Sequence, residues 1–469
     1  MLNRPALQFQ TLCLTVFVFV FVFSAAGNRL LGQVRPESSA AEVDDGIWVE
    51  KDVAYAAGGD PSNTLDIFVP NTPNPSIPLI VLIHGGGWNA GSKTDFDGAC
   101  LDLVRHGYAA ASINYRLSSQ AIFPAQIIDC KAAIRWLRAN AKIYGFDPKH
   151  IVVGGHSAGG HLAAFMGVSN GAKQFDQGGF LRYSSNVQAV IWCAGVGNLL
   201  TRAETPGYEG EESAGSGESM LIGGALLQNQ DKALKASPIT YVSKKTVPFA
   251  FFHGDVDKMV PVSQATDMYA AIRSRGVYSE LHIIPGADHG GPGYFTISMW
   301  QEVDRFLSKV LKTQLSSMPK LSAGADYSIS PVGAPSVSLS DLSGGAVGLE
   351  PSTGVGSRWV FSPEGGGLYS IRPVDNRALA LTVTGVAAVN TTPVVLSQFS
   401  GQVSQLWSVF RDGITGEYSL LPKCAPDSAL DDLRGNPTPE AKIDIFSFNY
   451  TDPHLQWILT PGAALQSAN

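Results

Sequence analysis

Between residues 79 and 284 the apolar side chains fall in short, unbroken runs. They are Leu79–His84 (LIVLIH), Tyr108–Tyr115, Ile151–Gly154, Val187–Ala194, Val247–Phe252 and Leu281–Ile284. Runs of this length without polar alternation suit strands covered on both faces. The segments between them carry helical periodicity. In Pro124–Lys142, Ile127, Cys130, Ile134, Leu137 and Ala141 recur at steps of three and four, and Gly145 closes the helix. Alternating strands and helices of this kind predict a parallel α/β sheet. Val49–Ala54 and Thr64–Pro70 read as leading edge strands. Glu204–Gly224, acidic and rich in Gly and Ser, interrupts the alternation and is a candidate flap over a site.

The pattern changes near residue 314. Leu315–Ala325 is small and polar, as a linker is. Beyond it the helical period is gone and a repeat begins: Trp359, Trp407 and Trp457 lie 48 and 50 residues apart. Each is followed two positions later by an apolar residue: Phe361, Val409 and Leu459. Gly367-Leu368-Tyr369 and Gly416-Glu417-Tyr418 recur as well, and Tyr327 opens a degenerate copy. Three such repeats predict a three-fold β structure with the tryptophans as shared core.

A chain of 469 residues accommodates two domains. With 45% hydrophobic residues it has the apolar surface for packed cores, which excludes a disordered chain. A net charge of −7 argues against nucleic-acid binding, which requires a basic footprint. Arg4, the apolar run Leu12–Phe23 and the small residues Ser24-Ala25-Ala26 read as a cleaved export signal, with no membrane span after it. The expected organisation is signal peptide 1–26, leader 27–46, α/β domain 47–313, linker 314–326, β domain 327–461 and tail 462–469. The expected location is secreted or periplasmic. Cys100, Cys130, Cys193 and Cys424 are too irregularly spaced for a disulfide framework, although export permits a bridge.

Gly155-His156-Ser157-Ala158-Gly159 matches G-x-S-x-G between a strand (Ile151–Val153) and a helix (Gly160–Val168). That context places the Ser157 hydroxyl on a tight turn at the carboxyl edge of the sheet. His84-Gly85-Gly86-Gly87-Trp88 ends the LIVLIH strand. Its glycines leave backbone N–H groups free to face a developing oxyanion, and we assign Gly86, Gly87 and Ala158 to that role. A serine nucleophile needs a base and the base an orienting acid, in the chain order Ser, acid, His. After Ser157 the histidines are His161, His253, His282, His289 and His454. His289, in the loop Pro285–Gly291 just after a strand, can reach over the sheet edge. His253 reads as a brace for the acid loop and His282 as a packing residue. Asp255 and Asp257 are the acid candidates. Asp288 adjoins His289 in sequence, and Asp129 opens a helix, where capping or pairing is the expected role.

With these residues placed, residues 47–313 resemble the α/β-hydrolase esterase/lipase family. The resemblance is strongest to HGGG-bearing esterases related to hormone-sensitive lipase and kynurenine formamidase. It rests on HGGGW (84–88), NYRL (114–117), GGHSAGGHLAA from Gly154 onward, HGDVDKMVP (253–261) and PGADHGG (285–291). It implies an α/β-hydrolase fold with a mainly parallel sheet. It also implies Asp257 as the triad acid beside Ser157 and His289, and metal-independent, cofactor-free hydrolysis of carboxylic esters through an acyl-enzyme. Residues 327–461 resemble a ricin-type β-trefoil lectin domain, with Gln405-Leu406-Trp407 as its Q-x-W. Only the third repeat keeps the sugar-binding pattern, with Asp431 and Phe446 and polar support from Asn449 or His454. Thr382 replaces the acid in the second repeat, and the first has none.

Export together with a lectin-like module leads to the expectation of a secreted carboxylesterase acting on acylated carbohydrate, such as acetylated xylan or a feruloylated polysaccharide. Tethering would raise the local concentration of ester groups. The alternatives are an esterase or lipase for small lipophilic esters with an inert trefoil, an arylformamidase- or peptidase-type amide hydrolase, and a carbohydrate-binding protein with a silent hydrolase domain.

Overall fold

The computed structural model describes residues 41–462 apart from 208–212, 314, 320, 323, 343, 354–355, 386–388 and 433–441. The export signal therefore lies outside the described residues.

The N-terminal part is a nine-stranded sheet. Its strands are β1 (Ala41–Asp44), β2 (Ile47–Ala54), β3 (Thr64–Pro70), β4 (Leu79–Ile83), β5 (Ala109–Ile113), β6 (Ile151–His156), β7 (Ala189–Cys193), β8 (Phe249–Gly254) and β9 (Ser279–Ile284). They lie in the order β1-β2-β3-β5-β4-β6-β7-β8-β9. From β5 to β9 all neighbours are parallel, whereas β1, β2 and β3 add an antiparallel edge. β1 falls in the stretch expected to be leader. Every residue of β4, β5, β7 and β8 is buried, which is why these strands read as continuous apolar runs. β9 departs from that expectation. It is the last strand, and most of its residues are only partly buried.

The helices are α1 (Asp97–Arg105), α2 (Ala125–Tyr144), α3 (Ala158–Val168), α4 (Leu199–Glu204), α5 (Gly217–Ile222), α6 (Gln230–Lys235), α7 (Ser263–Ser274) and α8 (Ile297–Leu311). Helix α2 ends as its spacing predicts: Gly145 takes a left-handed φ of 78° and returns its N–H to Ala141. The chain runs from β4 out to β5 and returns to β6 on β4's other side. Loops leaving the carboxyl ends of β4 and β6 therefore face one crevice, the usual ligand position in open α/β sheets.

The C-terminal part is antiparallel β structure. Strands β10 (Asp326–Pro331), β13 (Trp359–Gly365), β14 (Leu368–Pro373), β17 (Trp407–Arg411), β18 (Tyr418–Pro422) and β21 (Trp457–Pro461) close into a barrel. The hairpins β11–β12 (Val337–Asp341, Val347–Pro351), β15–β16 (Leu379–Val383, Thr392–Gln398) and β19–β20 (Ser428–Asp431, Asp444–Ser447) accompany it. This strand plan is consistent with the expected trefoil. Trp359, Trp407 and Trp457 are fully buried. Their indoles donate to equivalent carbonyls, those of Leu339 (2.7 Å), Leu381 (3.1 Å) and Leu430 (3.0 Å). Each tryptophan ties the barrel to the first strand of one hairpin, and this shared task accounts for the sequence period.

The segment expected to be a free linker is packed instead. Leu315 lies in the hydrophobic core beside α8, and the Ser317 hydroxyl donates to Asp304 at 2.9 Å. The barrel rests directly on the α/β part. Arg105 pairs with Asp412 at 3.0 Å, and His106 bridges Asp304 (2.6 Å) and the Tyr450 hydroxyl (2.8 Å). Cys100, Cys130, Cys193 and Cys424 are all free thiols.

Candidate active site

Strand β6 passes into α3 through Ser157, whose backbone sits at φ 58° and ψ −123°, the strained elbow that lifts a nucleophile clear of the sheet. The flanking glycines are required by close approach. A Cβ on Gly155 would lie 2.4 Å from the Gly159 carbonyl oxygen, and one on Gly159 would lie 1.8 Å from that of Ile83.

The structure brings Ser157, His289 and Asp257 together. Ser157 Oγ lies 2.8 Å from His289 Nε2, and His289 Nδ1 lies 2.8 Å from Asp257 Oδ2. With Nδ1–H donating to the carboxylate, Nε2 is the acceptor for the serine proton. Burial alone would raise the Asp257 pKa. Hydrogen bonds from His253, His289 and the Val260 N–H outweigh it and hold this carboxyl well below the usual range. The other oxygen, Oδ1, accepts the N–H groups of Met259 and Val260 at 2.8 Å each.

The remaining candidates have other partners. Asp255 accepts the Gly286 N–H at 2.7 Å. Asp288 accepts the N–H groups of Lys258 (2.9 Å) and His289 (2.8 Å), shaping the loop rather than facing the imidazole. Asp129 accepts from Nε and Nη2 of Arg116. His253 is buried, 2.9 Å from the Val260 carbonyl and 3.2 Å from Asp257. His282 stacks on Phe252 at 4.7 Å.

Gly86, Gly87 and Ala158 line the same cavity as Ser157 and His289, a space of about 410 Å³. Ala158 opens α3, where backbone N–H groups lack helical partners. The glycine loop is braced from below. Trp88 Nε1–H donates to His161 Nδ1 at 3.1 Å, and His161 Nε2–H donates to the Ala236 carbonyl at 2.7 Å. Burial pushes the His161 pKa down to about 4, so this ring is neutral and its tautomer is set by that carbonyl.

Three cavity residues escaped the sequence reasoning. His156 Nε2–H donates to the His289 backbone carbonyl at 2.5 Å, and burial followed by the nearby His289 lowers its pKa to about 4. Arg202 of α4 and Glu218 of α5 form a buried ion pair in the cavity wall. The variable position of the G-x-S-x-G motif is a signal for His156. Nothing local marks the other two. Glu218 lies within the candidate flap and Arg202 just before it; residues 208–212 of the flap lie outside the described residues.

Of the four expected sugar-binding residues, Asp431 ends β19, Phe446 lies on the paired β20, and Asn449 and His454 follow in the segment leading to β21. Asp431 is 2% exposed and stands opposite Asp444 across the hairpin. Phe446 is half-buried and packs against a small cluster of Phe410, Leu421, Ala429, Leu455 and Ile297 of α8. Asn449 Oδ1 accepts the Thr451 N–H, and His454 faces Asp432 rather than Asp431. The connection 433–441 lies outside the described residues. Among the described residues no His, Cys, Asp and Glu cluster is arranged to hold a metal ion, and no helix is long and apolar enough to cross a membrane.

Comparison with known proteins agrees with this framework. Esterase LipQ of Mycobacterium tuberculosis is 35% identical over 245 residues, 51% of this chain and 56% of that protein. The chain spans little more than half the length of such curated relatives. A solved truncated form of a carbohydrate esterase from gut microbiota is 31% identical with a TM-score of 0.54, covering 58% of this chain and 100% of that one. A bifunctional GH43-CE of Bacteroides eggerthii is 34% identical with a TM-score of 0.53, covering 57% of this chain and 36% of that one. Over residues 65–272 the chain is matched by the BD-FAE family, an α/β-hydrolase esterase family.

Proposed function

We propose that this protein is an exported serine carboxylesterase acting on acylated carbohydrate. The observation that carries the proposal is the unbroken chain from Ser157 through His289 to Asp257, with both contacts at 2.8 Å. Ser157 attacks the ester carbonyl while His289 Nε2 takes its proton. Asp257, held ionised, stabilises the imidazolium that forms. The carbonyl oxygen becomes negative in the cavity lined by Gly86, Gly87 and Ala158, whose N–H groups are the proposed donors to it, a type of contact worth about 10²–10³ in rate per donor. His289 then protonates the leaving alcohol, and water repeats the cycle on the acyl-enzyme.

The carbohydrate substrate is supported by the carbohydrate esterase and the GH43-CE among the solved relatives. The barrel, whose all-β content is consistent with the trefoil resemblance, is proposed to hold the enzyme on glycan. The apolar segment 12–23 supports export.

The test uses the full chain and its Ser157→Ala variant. Both are challenged with a fluorophosphonate, a soluble acetyl aryl ester and acetylated xylan. Labelling, aryl-ester turnover and acetate release from xylan, all lost in Ser157→Ala with an unchanged melting temperature, are expected. Aryl-ester turnover without acetate from xylan removes the carbohydrate substrate and leaves the esterase. An unlabelled wild-type protein refutes the nucleophile assignment. Retention of Ser157→Ala on insoluble xylan tests the barrel, and free passage sinks its proposed role.

A further inference from the structure

The ion pair in the cavity wall has a second attachment. Arg202 Nη1 bonds Glu218, and Arg202 Nη2 donates to the Met259 carbonyl at 2.6 Å. Both side chains are nearly inaccessible, at 6% and 2% exposure. Burying two charges beside a substrate cavity is costly unless their geometry is well satisfied, and a pair on the surface would avoid that cost. The Met259 contact shows what the placement achieves. The peptide groups at 259 and 260 are gripped from two sides: their N–H groups by Asp257 Oδ1 at 2.8 Å each, and the Met259 carbonyl by the guanidinium. Asp257's other oxygen is the one that meets His289. A shift of this loop therefore moves the acceptor that sets the imidazole's orientation and tautomer.

We propose that Arg202 is a positioning residue for the hydrolytic triad. Glu218 fixes its guanidinium, the guanidinium fixes the 259–260 segment, and Asp257 is thereby held in line with His289. The inference rests on the esterase reading above. It makes α4 and α5 part of what aligns the triad, because they supply the two halves of the clamp.

The experiment compares the full-length wild type with Arg202→Lys, Glu218→Gln and the double variant Arg202→Met/Glu218→Leu. The double variant removes both charges and leaves neither buried alone. The readouts are the rate constant for fluorophosphonate labelling of Ser157, kcat and KM on a soluble acetyl aryl ester, and the melting temperature. Small misplacements of catalytic groups cost about 10²-fold, so the double variant is expected to lose roughly 10- to 100-fold in kcat and in labelling rate. KM should change far less. Arg202→Lys, which keeps a donor for the Met259 carbonyl, should recover most of the loss. Labelling of the double variant at the wild-type rate overturns the inference. So does a rise in KM at unchanged kcat, which would make the pair a substrate-binding group. Should the double variant not fold, Glu218→Gln decides: slowed labelling supports the clamp and an unchanged rate overturns it. A wild-type protein that is neither labelled nor active overturns the esterase reading and this inference with it, whereas failure in the variants alone leaves the esterase reading standing.

Discussion

Replacing Asp257 with Asn isolates what the buried carboxylate does. In the structure its two oxygens accept from four donors: His289 Nδ1–H and the His253 ring on one side, and the Met259 and Val260 N–H groups on the other. Asparagine has one oxygen and one NH₂ group. If its oxygen faces the two backbone N–H groups, its NH₂ meets the imidazole of His289. That forces Nδ1 to be the acceptor and places the proton on Nε2, where the serine proton must go. The reverse orientation sets NH₂ against two backbone donors and loosens the loop. Either way the base is disabled, and the developing imidazolium loses its counter-charge. A triad aspartate replaced by Asn costs about 10⁴ in kcat, or about 5 kcal/mol of transition-state stabilisation. Initial rates on a soluble acetyl aryl ester measure it, with Asp255→Asn and Asp288→Asn as controls of near-normal activity. A loss below tenfold for Asp257→Asn, or an equal loss for Asp288→Asn, refutes the reasoning.

Gly159→Ala places a methyl 1.8 Å from the Ile83 carbonyl oxygen, so β4 and α3 must separate, and thermal melting should show a loss of about 1–3 kcal/mol as for other overpacked sites; an unchanged melting temperature rejects the close packing. Trp407→Phe leaves the buried Leu381 carbonyl without its donor and should cost about 1–3 kcal/mol in denaturant unfolding, with no effect if the bond is dispensable. Asp102 is raised to about 6, by burial against the opposing pull of His106, Trp300 and Arg105. The folded state therefore binds the extra proton between about pH 4 and 6, and this group's effect is to lower stability as pH rises through that window by about 2–3 kcal/mol. Asp102→Asn should accordingly melt higher than wild type at pH 7.5 and equal to it at pH 4, and a pH-independent difference refutes the assignment. Asp257 has the opposite sign. Its lowered pKa favours the fold at neutral pH, and that contribution fades only as acid protonates it below the ordinary carboxylate range.

What could be read from the chain alone is what short segments determine. Unbroken apolar runs report burial on both faces, so the sheet's central strands were legible. β9 misled because its sequence does not say that it is last in the sheet. The elbow at Ser157 and the glycine loop at 84–88 are local conformations encoded by local residues, and the tryptophan period encodes one hydrogen bond repeated three times. Choosing between Asp255 and Asp257 required more than spacing, since both sit in one loop and only the fold shows that Asp255 turns to Gly286 while Asp257 turns to His289. His156, Arg202 and Glu218 were hidden for the same reason. Their partners lie 133, 57 and 16 residues away in sequence, and no periodicity marks a contact made by chain crossing. The seat of the barrel is a tertiary fact too. A polar segment read as linker is drawn into the junction by Asp304, and Ile297 of α8 joins Phe410, Leu421, Ala429 and Leu455 in one cluster. Sequence determines which surfaces must be buried; which buried groups then meet depends on how the two β structures pack.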